Sequence, residues 1–241
     1  MAEQEVIKHT KKIFSIWNDK KGFWHKLREF VIEIAIIVFA VSLSIWFHGR
    51  SEHRHQQQVA REFLTGLKAD LESDIAELTD VKKSYQTQQK AFSYFKKVIA
   101  KDSLLVLDSV KQYSGWVFFS TTTFRPKTSR FEGLKSAGQL YYIDNKELLN
   151  EILALYQDKL PWLNQLIISY VDFKTGKLMD YYDNHLSEQG DYTTRLNALI
   201  RLPVMKNYLK RGALVEQIID EVEKSIEQCK SIVALIEADI L

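Results

Sequence analysis

Phe30–Phe47 reads FVIEIAIIVFAVSLSIWF, and the reading of this stretch decides the architecture of everything attached to it. It is the one apolar run in the chain long enough to cross a bilayer, since eighteen residues at about 1.5 Å each cover roughly 27 Å, the lower end of a hydrocarbon core. Charged sequence flanks it on both sides. The expectation is a single-pass membrane protein with a basic and aromatic cytoplasmic tail over residues 1–29, a transmembrane helix over 30–47 and a periplasmic helical domain over 48–241.

Composition points to helices. Of the 241 residues, 46% are hydrophobic and 27% charged, a balance that buries a core and lies outside the disordered regime. The length after the span suits one soluble domain. Only three prolines and nine glycines occur, which favours long uninterrupted helices, an all-α fold, over a loop-rich or all-β one. The net charge of +2 carries no nucleic-acid signature. A lone cysteine, Cys229, forms no internal disulfide, so packing alone holds the domain.

Basic residues set the orientation. Lys11, Lys12, Lys20, Lys21, Lys26 and Arg28 precede the span, and only Arg50, Arg54 and Arg61 follow within a similar distance, which keeps the amino terminus in the cytoplasm. No small-residue cleavage site follows the apolar run, so the segment reads as an uncleaved signal anchor. In the tail, Ile13, Trp17, Trp24, Leu27 and Phe30 alternate with the lysines. That pattern suits an interfacial segment on anionic lipid, and a partner-binding helix has the same look.

Beyond the span, residues 55–101 form the first long helix, about 70 Å if continuous. Leu64, Leu67, Leu71, Asp74, Leu78, Val81, Tyr85, Gln88, Phe92, Phe95 and Ile99 step by threes and fours. Such a seam is the core-facing stripe of an antiparallel bundle or one side of a parallel coiled coil; in the second case the polar Asp74 and Gln88 would fix register or oligomeric state. Residues 104–143 break the pattern. There Ser129 with Glu132 fits a capping box and Gly138 a helix stop, so one short helix is expected between two turns, with Pro126 in the loop before it. Asp144 with Glu147 fits a second capping box and opens a long central helix whose apolar residues, Leu149, Ile152, Leu153, Tyr156, Leu160, Leu163, Leu166, Ile167 and Tyr170, cover more than one face. Pro161 kinks or divides it. Thr193 or Thr194 caps a short helix that ends at Pro203, where another begins. In the last helix Val215, Ile219, Val222, Ile226, Cys229, Val233, Ile236 and Ile240 alternate four and three without a miss. Cys229 in that seam reads as a small buried hydrophobe.

The span with its exit, VIEIAIIVFAVSLSIWFHGRSEHRHQQQVAREFLTGLKADLESDI, and the segment FRPKTSRFEGLKSAGQLYYIDNKELLNEILALY resemble an uncharacterised family of bacterial single-pass envelope proteins. In that family a glutamate-containing span leads directly into a long helix. Phe124, Pro126, Leu134, Lys135, Ser136 and Gly138 sit at the family positions, whereas Gly133 and Ala137 depart from its commonest pattern. The likeness covers most of residues 25–160. It implies the bacterial inner membrane and the topology above, and it adds no chemistry, because the family has no established activity.

Catalytic motifs are missing from the sequence: there is no phosphate-binding glycine loop, serine elbow, cysteine pair or metalloprotease spacing. No cofactor, metal or catalysis is expected. His48, His53 and His55 cluster just outside the span, but two-residue spacing splits the last two onto different helix faces, and only Glu52 is near. Arg125, Lys127, Arg130 and Lys135 gather around the central loop as a solvated basic surface or a contact for an anion or an acidic partner. Glu33 is the costliest residue of the span. It shares a helix face with Ile37, Ala40 and Ser44, where small residues permit close approach, so this face is expected to meet another transmembrane helix. The alternative has Glu33 reaching to the interface or pairing with Arg28 or the lysines.

These features favour a membrane-anchored scaffold or accessory subunit, assembling as a homo-oligomer or with another membrane protein through its span and its helical domain. The competing expectation is an envelope sensor or ligand-binding module using the 124–142 loop region.

Overall fold

In the computed structural model, residues 20–240 are described. The chain divides into two compact units, residues 1–58 and 59–241, and no strand occurs among the described residues.

Helix α1 runs from Lys20 to Ala100. In the first unit it carries an 18-residue stretch of mean hydropathy 2.5 with none of it buried. By length and composition this is a helix able to cross a membrane. The apolar stretch leads directly into the long helix read from residue 55, because α1 passes through Gly49 without a break. A single helical glycine costs only about 1 kcal/mol, too little to end so long a helix. The helix also takes in the last ten residues of the tail; Lys11, Lys12, Ile13 and Trp17 lie outside the described residues.

In the second unit α1 supplies one wall of the core. Every residue of its seam from Leu64 to Phe95 is buried, and Ile99 is half-buried. After a turn at Asp102, helix α2 covers Leu107–Phe118 and α3 covers Ser129–Ser136. Nothing in the sequence reading anticipated α2. Its stretch is rich in β-branched and aromatic residues, and its start at Val106 has no side-chain cap; packing of Val110, Val117 and Phe118 against the core overrides that weak local preference. At the end of α3, Gly138 takes φ +65°. Its N–H reaches the Lys135 carbonyl at 3.0 Å and the Gln139 N–H reaches that of Leu134 at 3.1 Å. This paired arrangement is the glycine stop the sequence indicated.

The central helix is built from α4 (Lys146–Ala154), α5 (Leu160–Phe173) and α6 (Asp180–His185), joined by wide π turns at Leu155–Lys159 and Lys174–Met179. Pro161 marks a division of it, as the sequence indicated, standing in the first turn of α5 directly after a π turn. The π turn immediately ahead lets the Leu160 N–H reach the Leu155 carbonyl and absorbs the ladder contact that proline cannot make. Helices α7 (Tyr192–Ile200), α8 (Pro203–Lys210) and α9 (Ala213–Ile240) complete the unit.

Three expected caps are corrected. Ser129 is already helical and Thr128 precedes it without a side-chain bond. Asn145, not Asp144, caps α4 by accepting from the Leu148 N–H at 3.1 Å. Asp191, not a threonine, caps α7 by accepting from the N–H groups of Thr193 and Thr194 at 2.9 and 3.1 Å. Pro203 does open α8.

Helix α9 buries Val215, Ile219, Val222, Cys229 and Ile236 as its spacing predicts, but Ile226 and Val233 of the same seam are only half-buried, and Ile218, Ser225 and Ile232 beside it are buried; the side chain of Ile240 lies outside the described residues. Polar contacts show its alignment. Lys68 meets Glu237 at 2.6 Å, Lys82 meets Glu223 at 2.7 Å and Gln89 meets Glu216 at 3.1 Å, so residue numbers fall along α9 as they rise along α1. Against the central helix, Lys159 meets Glu221 at 3.0 Å and Gln228 meets Glu151 at 3.2 Å, again in opposite senses.

Candidate functional site

The face Glu33, Ile37, Ala40 and Ser44 is exposed at all four positions on α1, as are the apolar residues around it. Near the far end of the stretch, the Arg50 guanidinium lies 5.7 Å from the centre of the Trp46 ring, and Trp46 packs edge-on against Phe47 at 5.1 Å. His48, His53 and His55 are exposed. Among the described residues no group of three or more histidine, cysteine or acidic side chains gathers as a metal site.

The four basic residues of the central loop do not converge on one point. Asp70, Ser73, Asp74 and Glu77 form one face of α1 at three- and four-residue spacing, and the loop straps across it. The Arg125 N–H donates to Glu77 at 3.3 Å and the Lys127 N–H donates to both Asp74 oxygens at 3.1 and 3.3 Å. The Lys127 ammonium donates to the Ser73 hydroxyl. Arg130 pairs with Asp70 at 2.9 Å, its guanidinium lying over Gly66, where a Cβ would stand 2.3 Å from Cζ. Lys135 reaches over the Phe131 ring at 5.6 Å, beside Glu132 at 4.0 Å. Lys127 and Arg130 thus hold the strap to α1, while the Arg125 and Lys135 side chains face solvent.

Beneath the strap Asp74 is fully buried. Burial pushes its carboxyl up to about 6, although the Lys127 N–H and charge pull the other way. Phe131 stacks on Tyr156 at 4.6 Å, and the Tyr156 hydroxyl donates to the Lys127 carbonyl at 3.3 Å. This polar seam position, which would set register or oligomeric state in a seam between chains, grips the backbone of the chain's own loop.

The second polar seam position does the same at a deeper place. Gln88 Oε1 accepts from the Tyr170 hydroxyl at 2.9 Å and from the Lys174 ammonium at 3.0 Å. Two donors on one oxygen fix the orientation of the amide, since a flipped Gln88 would set its own NH2 against them. Lys174 has no exposed surface. It also donates to the Trp116 carbonyl at 2.6 Å and to that of Ser120. Trp116 lies in the last turn of α2, whose carbonyls lack intrahelical partners, so a cation here caps the helix and complements its dipole. Burial pushes the ammonium down to about 7. Beside it, Tyr85 packs edge-on against Tyr170 at 5.8 Å and donates to the Thr122 carbonyl at 2.7 Å.

Sequence reasoning missed Lys174, yet a signal existed. The buried stripe Leu163, Ile167, Tyr170 continues at four-residue spacing through Lys174 to Leu178, which puts a lysine on an apolar face inside a helix. Sealed on all sides, this lysine joins α1, α2 and the central helix. A shallow open dent of about 350 Å³ lies elsewhere, against Ala154, Asp158, Lys159, Trp162 and Gln228. It brings together no nucleophile with a base. Cys229 is fully buried, and burial pushes its thiol up to about 12, the opposite of an activated thiolate.

In comparisons with known proteins, no family model, curated protein or solved structure matches the chain.

Proposed function

We propose that this protein is a membrane-anchored scaffold or accessory subunit of the bacterial inner membrane, with its amino terminus in the cytoplasm and its helical domain, an antiparallel bundle, in the periplasm. One observation carries the reading. The second unit buries its own seams, whereas the 18-residue apolar stretch of α1 is 0% buried. Apolar surface on that scale needs lipid or another helix to cover it. The excess of basic residues before the stretch supports the orientation, and the resemblance of the span and the Phe124–Gly138 segment to single-pass envelope proteins supports the compartment.

The heptad seams of the domain, which the sequence offered as assembly surfaces, are occupied within one chain. Assembly as a homo-oligomer or with another membrane protein therefore falls to the span, through the face of Glu33, Ile37, Ala40 and Ser44. The test is the mass of the detergent-extracted protein, with and without Glu33→Ala. A wild-type oligomer that Glu33→Ala weakens supports the reading; a monomer in both, with no co-purifying membrane protein, refutes it.

A further inference from the structure

The end of the domain where α1 stops exposes aliphatic side chains on a rigid loop. Leu104 is 72% exposed, Val106 60% and Leu107 51%. The backbone carrying them is fixed at several points. The Leu105 side chain is buried and its N–H donates to Asn197 at 2.8 Å, the Val106 N–H donates to the Tyr94 hydroxyl at 3.3 Å, and Arg201 donates to the Ser103 carbonyl at 2.7 Å. The adjoining start of α8 adds Val204, also exposed. A loop held this firmly keeps its aliphatic residues in water by construction, and such clusters mark a surface that meets something apolar.

The surrounding charge says what kind of surface. Lys97 lies in the last turn of α1 and Lys101 just beyond it, Lys111 lies one turn into α2 from Leu107, and Arg201 lies behind the loop; the carboxylates beside them are Asp102, which faces Arg201 at 3.7 Å, and Asp108. Protruding leucine and valine ringed by an excess of lysine match the acyl and headgroup layers of an anionic bilayer. A protein partner is the poorer fit, because protein interfaces centre on exposed aromatic anchors and this loop has none.

We propose that the loop Lys101–Leu107 docks on an anionic lipid surface, with Leu104, Val106 and Leu107 entering the bilayer and the neighbouring lysines on its headgroups. This goes beyond the anchored-scaffold reading and gives the domain a second lipid contact of its own.

The test uses the full chain incorporated into neutral phosphatidylcholine nanodiscs, mixed with vesicles of phosphatidylcholine alone or containing phosphatidylglycerol, and reads co-flotation. Incorporation into the disc tests the anchor, and co-flotation tests the loop, so the two readings fail separately. Binding to the phosphatidylglycerol vesicles is expected, with a loss of about tenfold or more in Leu104→Asp/Leu107→Asp and a loss of a few-fold in Lys97→Gln/Lys101→Gln that salt reproduces. Leu104→Trp gives an independent readout that needs no loss of binding, a blue shift of its emission on the anionic vesicles. The proposal is overturned by absence of co-flotation, by equal binding of wild type and the double aspartate variant, by an unshifted Leu104→Trp emission, or by capture of a second protein copy in place of vesicles.

Discussion

Replacing Lys174 by methionine keeps the shape of the buried side chain and removes its charge, and the pH dependence of stability reports what that charge does. Unfolded, the ammonium titrates near 10.5; in the core burial brings it to about 7. Because the folded value is the lower one, the stabilising contribution is complete above 10.5 and is lost as pH falls through 7. Between those limits the unfolded chain holds the extra proton and stability rises with pH. At 1.36 kcal/mol per pH unit, with the folded group half-protonated at pH 7, the gain from pH 7 to pH 9 is about 2 kcal/mol. At neutral pH itself the substitution has opposing effects. It relieves the burial of a charge, and it strips a donor from the Trp116 and Ser120 carbonyls at about 1–3 kcal/mol each. The slope, not the offset, is therefore the diagnostic quantity. Urea unfolding of the full chain in detergent at pH 6, 7, 8 and 9 should show wild type gaining about 2 kcal/mol relative to Lys174→Met across the upper range. Parallel curves for the two proteins would refute the assignment of a buried, titrating lysine. Titration of Cys229 or the tyrosines is common to both and cancels in the difference.

Asp74 works in the opposite direction: its folded value of about 6 exceeds its ordinary 3.8, so its contribution is complete below 3.8 and lost as pH rises through 6. Asp74→Asn, whose amide oxygen still accepts the Lys127 N–H, should stabilise the domain by up to about 3 kcal/mol at pH 7.5 and by almost nothing at pH 3.5, measured by thermal or urea unfolding. Gly212→Ala should destabilise by about 1–3 kcal/mol, because a Cβ there meets Phe92 carbons at 2.7–2.9 Å and an aromatic ring in a packed core has nowhere to go; the matching Gly66→Ala should cost less, since Arg130 swings away. Cys229 should resist maleimide in the native protein and react on denaturation, and native labelling at the rate of a free thiol would contradict its burial.

Long stripes were legible because burial in a helix repeats every three or four residues. The seam of α1 and most of that of α9 follow from spacing alone, and so do the central helix and the glycine stop at Gly138. Local choices among similar residues were not legible. Asp144 and Asn145 stand side by side, as do Asp191 and two nearby threonines, and any of these side chains can cap a helix; the tertiary placement of the chain selects one. Helix α2 stayed hidden because its residues prefer strands, and only contacts with distant elements make it helical. Polar positions in the seam were visible as Asp74 and Gln88, but their partners were not, since Lys127 lies 53 residues from Asp74 and Lys174 lies 86 from Gln88. Of the candidate residues, the span face was readable from its own period, whereas the division of the basic loop into strap contacts and exposed cations depends on the acidic face of α1 beneath it.

Those two polar positions also explain why α1 holds one register. The ion pairs between α1 and α9 are largely solvent-exposed and each contributes at most about 1 kcal/mol, so a slide along an apolar stripe would meet little resistance from them. A slip of α1 by one heptad replaces Asp74 with Leu67 or Val81 and Gln88 with Val81 or Phe95. The Lys127 N–H then loses its acceptor and the Lys174 ammonium loses its side-chain oxygen in a dry core, at several kcal/mol for the charge alone. A slip by two heptads brings one of the two polar residues into the other's place, but it strips two heptads of apolar seam from the core and leaves the other polar residue against apolar neighbours. The native register is thus the one alignment in which the Asp74 carboxylate and the Gln88 carbonyl oxygen meet their donors while the whole apolar stripe is buried, which is how a repetitive helix specifies a single structure.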